Sequence, residues 1–209
     1  MKINHSTTTS FKAKPLFPIM LKTIGKNNEI NFIRGHFSEL SLADKEDCAL
    51  VTQISREWPE NPFVCNLMTE LTENFHKALK NQNSNKFYIT ELEIDGDLFQ
   101  RTKSIMETTN PNEWDKNFFK INILQAANAT SKTYPIIRGA GSASMFGATK
   151  LAEKNGFNNL YLHSMQNRFY QKLGMEMIYK VDDDEGFFIL PKDEFKEFCE
   201  RIKEKYFKF

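Results

Sequence analysis

Apolar and polar positions follow two different periods in the first eighty residues. Short apolar runs over 16–24 and 30–40 flank the turn-forming sequence GKNNE, and this arrangement predicts a β-hairpin. After Ser41, which precedes acidic residues, apolar residues recur every three or four positions as far as Pro59 and predict a helix. The same spacing over 62–78 predicts a second helix. We therefore expect a strand pair followed by two helices.

Three further strands are predicted in the middle of the chain. The sequence KFYITELEI is rich in aromatic and β-branched residues and ends at the residues DGD, 95–97, which are a tight-hairpin turn signal. Its partner strand would run from Leu98 towards Thr108, and FFKINILQ from Phe118 would follow as the third strand. A polar segment, AANATSKT, then makes the connection to the next element long.

Helices and strands alternate in the last third. Residues 142–155 have an apolar side at helical spacing, Gly156 closes that helix, and NLYLHS forms the next strand. A strand, loop, helix and strand in this order normally give parallel pairing. A short helix over 167–173 precedes strands over 175–181 and 186–190, and a final helix with an apolar stripe ends the chain. The pattern as a whole predicts an α/β protein.

Composition favours one folded unit. The 209 residues are 40% hydrophobic and 26% charged, as in ordinary globular proteins. Residues 1–14 contain the low-complexity tract STTTS and are expected to form a flexible lead-in, which leaves 15–209 as a single domain. The chain has three cysteines, Cys48, Cys65 and Cys199, and none of them forms a CxxC motif. They therefore predict neither a disulfide framework nor a zinc site.

The charge balance bears on the partners. A net charge of +1 gives no whole-molecule field to hold DNA, RNA or an anionic membrane, so we expect no nucleic-acid and no membrane partner. The purely apolar runs are far shorter than the roughly 20 residues that cross a bilayer, and the polar start MKINHSTTTS lacks the apolar stretch of a secretory signal. These features predict a cytoplasmic protein.

The most informative segment is PIIRGAGSA, residues 135–143, where two glycines and two small residues lie at the change from loop to helix. The first N–H groups of a helix have no partner within it and lie at the positive end of the helix dipole, so phosphate oxygens can bind there. Gly139 and Gly141 leave this backbone accessible, and Arg138 adds a positive charge. A glycine-rich helix start also arises for packing or turn reasons, so the pattern alone leaves both interpretations open.

Two common nucleotide-binding signatures fit this segment poorly, and a third pattern fits it. The chain has no GxxxxGK[ST] run, and Ser144 stands where a Rossmann fingerprint has glycine or alanine. Arg138, Gly141 and Ala143 instead form the arrangement R-x-x-G-x-A, and FYQKLGM follows after one helix and one strand. With these two motifs the chain resembles the GCN5-related N-acetyltransferase (GNAT) family. The acyl-CoA pyrophosphate loop of that family is Q/R-x-x-G-x-G/A, and its later motif commonly reads FYEKLGF.

The resemblance implies an α/β fold of the acyl-CoA N-acyltransferase type. In that fold a central mixed, mostly antiparallel sheet, flanked by helices, is splayed at its fourth and fifth core strands. It also implies acetyl-CoA as co-substrate and no metal, with the pantetheine arm lying between the splayed strands. The residues expected to bind acetyl-CoA are Gln125, Ala126, Ile137, Arg138, Gly139, Ala140, Gly141, Ser142, Ala143 and Asn167.

Tyr170 matches the tyrosine that in many family members protonates the departing CoA thiolate. A phenol with a pKa of about 10 can donate a proton to the sulfur as negative charge develops on it. The alternative is that Tyr170 packs its ring on a short helix beside Phe169 and Leu173. Both interpretations stay open at this point.

The attacking amine must also lose a proton, and Glu91 and His163 are the candidate bases. Glu91 and Glu93 share one face of a predicted strand, so both would face the cleft or both would face solvent, and we expect solvent. His163 lies near the end of the strand NLYLHS, where the resemblance places the reactive end of the cofactor, and imidazoles commonly titrate near neutral pH. The alternative, which is the more common case, is a histidine with satisfied hydrogen bonds at a strand end. The glutamate that the family often has before its pyrophosphate loop is absent from FFKINILQ.

The sequence therefore predicts an enzyme that transfers an acetyl group from acetyl-CoA to a primary amine, on either a small molecule or a peptide. One alternative is a GNAT-fold module that binds CoA or a protein partner without catalysis. A second is a nucleotide-binding protein that uses the same glycine loop for another phosphate ligand. The apolar stripe of the last helix suits either packing on the domain or pairing with a second copy of the chain as a homodimer.

Overall fold

The structure is a computed structural model that describes residues 13–59, 62–109, 117–127 and 135–206. Within these residues the strands are β1 (Lys14–Ile24), β2 (Ile30–Glu39), β3 (Lys86–Leu92), β4 (Thr102–Thr108), β5 (Phe118–Ala126), β6 (Ile136–Arg138), β7 (Asn159–Ser164), β8 (Glu176–Lys180) and β9 (Gly186–Pro191). The helices are α1 (Lys45–Glu57), α2 (Pro62–Leu79), α3 (Leu98–Arg101), α4 (Ala140–Lys154), α5 (Asn167–Leu173) and α6 (Phe195–Tyr206).

All of these strands belong to one sheet, in the order β6-β1-β2-β3-β4-β5-β7-β9-β8. Every neighbouring pair is antiparallel except β5 and β7, which are parallel and are joined through α4. The predicted first hairpin is confirmed as β1 and β2, and the predicted parallel unit is confirmed as β5, α4 and β7. The α/β class with a mixed, mostly antiparallel sheet is confirmed as well.

The sheet splays open between β5 and β7. The two strands pair only along 118–121 and 159–162, although β5 continues to Ala126. The register with β4 matches Thr108 to Ile121 and Glu107 to Ile123, which leaves Asn122 as the extra residue of a β-bulge. Because a bulge bends its strand and increases the local twist, β5 turns away from β7 at this point.

Two apolar cores lie on opposite faces of the sheet. Helices α4 and α6 cover one face, where Phe37, Phe119 and Phe188 are fully buried. Helices α1 and α2 cover the other face over buried residues such as Phe87 and Ile105. The bulge separates these cores within β5, because Ile121 belongs to the first and Ile123 to the second.

A buried hydroxyl cluster fixes α4 on the sheet. The Ser144 Oγ lies 3.0 Å from Thr90 Oγ1 of β3 and 2.6 Å from Ser104 Oγ of β4, and all three side chains are buried. Gly147 lies against the Phe37 ring, where an added Cβ would come within 2.4 Å of ring carbon. These contacts bring the start of α4 to the open end of the sheet.

Three local predictions need comment. The tight hairpin at 95–97 is wrong, because the Asp97 carboxylate accepts a hydrogen bond from Gln100 N (2.8 Å) and so caps α3, a single helical turn. Strand β6, which pairs with β1, was not predicted. Of the predicted lead-in 1–14, only Ala13, which is buried, and Lys14, which begins β1, are among the described residues. The polar connection over 128–134 lies outside them.

Candidate active site

The start of α4 lies within the glycine motif, at Ala140 and so two residues before the predicted start. Gly139 adopts φ 92°, a left-handed conformation that favours glycine, and it carries the chain from β6 into α4. The first helical hydrogen bond runs from Ala143 N to Gly139 O (2.8 Å). The N–H groups of residues 140–142 therefore precede the helical hydrogen-bond pattern. Ala140 and Gly141 are half-buried, whereas Ser142 and Ala143 are buried.

Gly141 leaves room at this helix start that another residue would fill. A Cβ at this position would lie 3.2 Å from Phe169 Cζ of α5. The missing side chain thus opens the backbone towards the ring of Phe169, and both residues line one cavity.

This cavity of about 410 Å³ lies where β5 and β7 diverge. It extends from Gly141 along both strands and reaches the end of α1 and the first turns of α2. Its described lining consists of Trp58, Val64, Leu67, Ile121, Asn122, Ile123, Leu124, Gln125, Ala126, Ala127, Gly141, Leu162, His163, Ser164, Met165, Gln166, Phe169 and Tyr170. One continuous space therefore joins the start of α4 to Tyr170.

Tyr170 is held rigidly beside this space. Its ring packs edge-on against Phe169 (4.8 Å between centroids) and is tilted against Phe188 (5.5 Å), and the residue is 8% exposed. Burial raises the pKa of the Tyr170 phenol well above its ordinary value. The phenol is thus protonated at neutral pH, as an unperturbed tyrosine also is, and it releases its proton only to a strongly basic acceptor. Tyr170 thus packs in the core and also faces the cavity.

His163 lines the cavity and is tied to the hairpin between β8 and β9. Its Nε2 lies 2.7 Å from Glu185 Oε1, and its ring stacks on Phe187 with centroids 4.4 Å apart. The side chain is 42% exposed, so solvent reaches it. Among the described lining residues, only His163 and Tyr170 have titratable side chains.

Glu91 lies elsewhere. It is 7% exposed, accepts a hydrogen bond from Ser38 Oγ (2.8 Å), and lies 3.4 Å from Arg101 Nη2. The expectation that both glutamates face solvent is wrong for Glu91, which lies after a register shift at Thr90 and pairs with Arg101. Glu93 lies beyond the end of β3, where its half-exposed side chain is beside His36. Glu91 is not among the residues that line the cavity, so we do not propose it as a base.

Gln125, Ala126, Arg138 and Ile137, which were expected to bind acetyl-CoA, lie in three different places. Gln125 and Ala126 line the cavity on the part of β5 that has left β7. Arg138 is exposed and pairs in register with Lys22 of β1, which places two cations next to the start of α4. Ile137, by contrast, packs on the core beneath α4.

Asn167 is buried against the hairpin between β8 and β9 and is not among the residues that line the cavity. Its Nδ2 donates to the carbonyl oxygens of Asp182 (3.2 Å) and Asp183 (3.3 Å), and its N–H donates to Asp184 O (2.9 Å). These bonds hold the hairpin on α5. The number of residues between Asn167 and Tyr170 does not reveal where the Asn167 side chain lies, since its hydrogen-bond partners come from a turn distant in the sequence.

A buried carboxylate beside the cavity was missed. Glu107 of β4 is fully buried and accepts hydrogen bonds from the side-chain amides of Asn74 (3.1 Å), Asn85 (2.5 Å) and Asn122 (3.2 Å). Burial raises its pKa, although the three amides oppose that shift. Asn122 also accepts from Thr109 Oγ1 (3.1 Å), so this network fixes the bulge residue. The sequence held one signal for this network, the uncharged polar Asn122 between two isoleucines in FFKINILQ.

The described residues include neither a metal-binding cluster nor a membrane-crossing helix. They contain no group of three or more His, Cys, Asp or Glu side chains arranged to hold a metal ion. None of their helices combines the length and the apolar character that a membrane-crossing helix requires.

Neither protein-family models nor curated proteins match the sequence. Solved structures do match the fold. The aminoglycoside 6'-acetyltransferase type Ii is similar over 75% of this chain and 96% of its own, at 14% identity and a TM-score of 0.51. A chain of the AtaT–AtaR complex bound to DNA is similar over 77% of this chain and 97% of its own, at 14% identity and a TM-score of 0.50. Tetrahymena GCN5 is similar over 74% of this chain and 94% of its own, at 13% identity and a TM-score of 0.47.

The fold is that of the GNAT acetyltransferases, as the resemblance predicted. The exclusion of nucleic acid on net charge is wrong, because a chain of this fold occurs in the AtaT–AtaR complex bound to DNA. Net charge sums over the whole surface and takes no account of local patches or of a partner protein. A value of +1 therefore does not exclude an assembly on DNA.

Proposed function

We propose that this chain, which has the GNAT fold, transfers an acetyl group from acetyl-CoA to a primary amine by direct attack. The observation that carries the proposal is the cavity between β5 and β7, which joins the start of α4 to Tyr170. The similar aminoglycoside 6'-acetyltransferase supports the acetyltransferase class at the level of the fold.

The first part of the proposed site binds the diphosphate of CoA. The N–H groups of residues 140–142 would donate to phosphate oxygens at the positive end of the α4 dipole. The space above Gly141, which a side chain would fill, allows the phosphates to approach. Arg138 and Lys22 would add positive charge from the neighbouring β6 and β1.

The second part holds the thioester arm. Past Ile121, the edge of β5 that faces β7 is not paired with another described strand. An extended pantetheine arm can therefore lie there as an added strand, with amides from Gln125 and Ala126 close to the carbonyl. The bulge at Asn122, which Glu107 fixes, sets where this edge opens.

The third part moves protons. Acetyl-CoA would supply the acetyl group, and the amine nitrogen would form the new bond to the carbonyl carbon as the bond to sulfur breaks. Tyr170 would give its proton to the leaving sulfur as negative charge develops on that sulfur, since a phenol is protonated at neutral pH. His163 is the proposed acceptor of the amine proton, directly or through water, since it is the other titratable group of the described lining.

Thiol release tests the proposal. Purified protein is mixed with acetyl-CoA and a panel of diamines, aminoglycosides and lysine peptides, and free CoA thiol and acetylated product are measured. We expect amine-dependent thiol release that Tyr170→Phe slows by about 10²-fold or more. Tyr179→Phe is the matched control, because Tyr179 is exposed on β8 and does not line the cavity. The absence of thiol release with every amine, despite bound acetyl-CoA, would contradict catalysis.

One observation favours a second candidate, a GNAT-fold module that binds CoA without chemistry. The described lining of the cavity includes no carboxylate that could act as a base. Such a module would bind CoA with the same dependence on Gly141 but would show no thiol release. The panel therefore separates the two functions.

A further inference from the structure

A second cavity lies between α5 and α6. Its volume is about 360 Å³. Lys172 of α5 lines it together with Arg201 and Lys205 of α6, and Glu204 is the one carboxylate of its described lining. Both lysines are exposed. The cavity is therefore a positively charged recess open to solvent.

This recess adjoins the start of α4 through one aromatic ring. Tyr206 lines the recess, and its Cδ1 would lie 2.7 Å from a Cβ built on Gly139. Helix α6 packs along α4, so its last turn ends beside the residues proposed to bind the diphosphate. The recess is thus one side chain away from the N–H groups of residues 140–142.

Arg201 has spare hydrogen-bonding capacity here. Its Nη1 donates to Glu197 (2.6 Å), but its Nε is buried without a hydrogen-bond partner among the described residues. Its Nη2 would lie 2.8 Å from a Cβ on Gly174, so the side chain is packed against the end of α5. A buried donor of this kind gains from an acceptor that brings a negative charge.

We propose that this recess binds the 3'-phosphate of the adenosine half of CoA, with Lys172 and Lys205 as the charged contacts. The proposal rests on the proposed function, because it requires the diphosphate to sit at the start of α4. CoA carries a phosphomonoester on its ribose, close in the molecule to the diphosphate. Helix α6, which follows the last strand of the sheet, then supplies part of the co-substrate site.

Dephospho-CoA, which lacks only the 3'-phosphate, provides the test. Calorimetry measures the affinity of the full chain for CoA and for dephospho-CoA, in the wild type, in the double variant Lys172→Gln/Lys205→Gln, and in Lys203→Gln. Lys203 lies on α6 but pairs with Glu200 (2.8 Å) and does not line the recess, so it is the control. Thermal unfolding of each variant verifies that it is folded.

We expect the wild type to bind CoA about tenfold more tightly than dephospho-CoA, in line with loss of charge-assisted hydrogen bonds. The double variant should lose that preference by weakening only the affinity for CoA, while Lys203→Gln keeps it. Equal wild-type affinity for both ligands, or equal losses for both ligands in the double variant, would overturn this proposal and leave the proposed function standing. Failure to bind either ligand would overturn the proposed function as well.

Discussion

Substitutions at two glycines of α4 are expected to affect different properties, CoA affinity at Gly141 and stability at Gly147. A Cβ at Gly141 would meet Phe169 Cζ at 3.2 Å, and its next contacts, at 3.7 and 3.8 Å, are ordinary. A Cβ at Gly147 would lie 2.4 to 2.6 Å from three ring atoms of Phe37, which is fully buried. Replacing each by alanine on the same helix therefore creates a matched pair of variants.

The expected stabilities follow from these contacts. Alanine is favoured over glycine within a helix by about 1 kcal/mol, and overpacking a core costs about 1–3 kcal/mol. For Gly141→Ala the two effects nearly cancel, so its free energy of unfolding should change by less than about 1 kcal/mol. For Gly147→Ala the Phe37 ring must move in a filled core, so we expect a loss of about 2 kcal/mol. Urea unfolding measures both values.

The expected affinities run in the opposite order. The new methyl group of Gly141→Ala occupies space beside the N–H groups that would contact the diphosphate, and we expect its affinity for CoA to fall at least about tenfold, which is about 1.4 kcal/mol. Folded Gly147→Ala should bind CoA as the wild type does. Calorimetry at a temperature where both variants are folded makes the comparison. Wild-type affinity in Gly141→Ala, or an equal loss in both variants, would refute the reasoning.

Three further predictions concern Tyr170 and two buried polar residues of the fold, Glu107 and Ser144. Tyr170→Phe should lower kcat by about 10²-fold with CoA affinity unchanged, measured by thiol release and calorimetry, and an unchanged kcat would remove Tyr170 from the chemistry. Burial raises the pKa of Glu107, so its contribution to stability is largest below the ordinary glutamate pKa and is lost as pH rises through the folded pKa. The difference in unfolding free energy between wild type and Glu107→Gln should therefore fall as pH rises through that window, whereas a constant difference would contradict the raised pKa. Ser144→Ala should cost about 1–3 kcal/mol in urea unfolding, because Thr90 and Ser104 lose a buried partner, and an unchanged midpoint would contradict that role.

The sequence predicted those features of the fold that local patterns control. The helical spacing of α1 and α2, the first hairpin and the parallel unit around α4 all depend on periodicity and turn residues within short segments. Strand β6 was missed because three residues carry almost no periodic signal, and its partner β1 lies more than a hundred residues away. The residues DGD were interpreted as a hairpin turn because aspartate favours both turns and helix caps.

The candidate site could be predicted where a backbone requirement affects the residue types. Gly139 and Gly141 were proposed because an accessible helix start favours residues without large side chains. The sequence did not reveal the burial of Glu91, the bonds of Asn167 or the buried carboxylate of Glu107. Their contacts depend on partners from other elements, which are Arg101, the hairpin at 182–184, and three asparagines. Spacing along one strand or helix does not reveal such partners.

A crystal structure of the chain with acetyl-CoA tests the central claim most directly, since it locates the diphosphate and the thioester together. We predict diphosphate oxygens within about 3 Å of the backbone nitrogens of residues 140–142, and the thioester sulfur beside the Tyr170 hydroxyl between β5 and β7. Acetyl-CoA bound with its diphosphate away from the start of α4, or with its thioester outside the cavity that Tyr170 lines, would contradict the account.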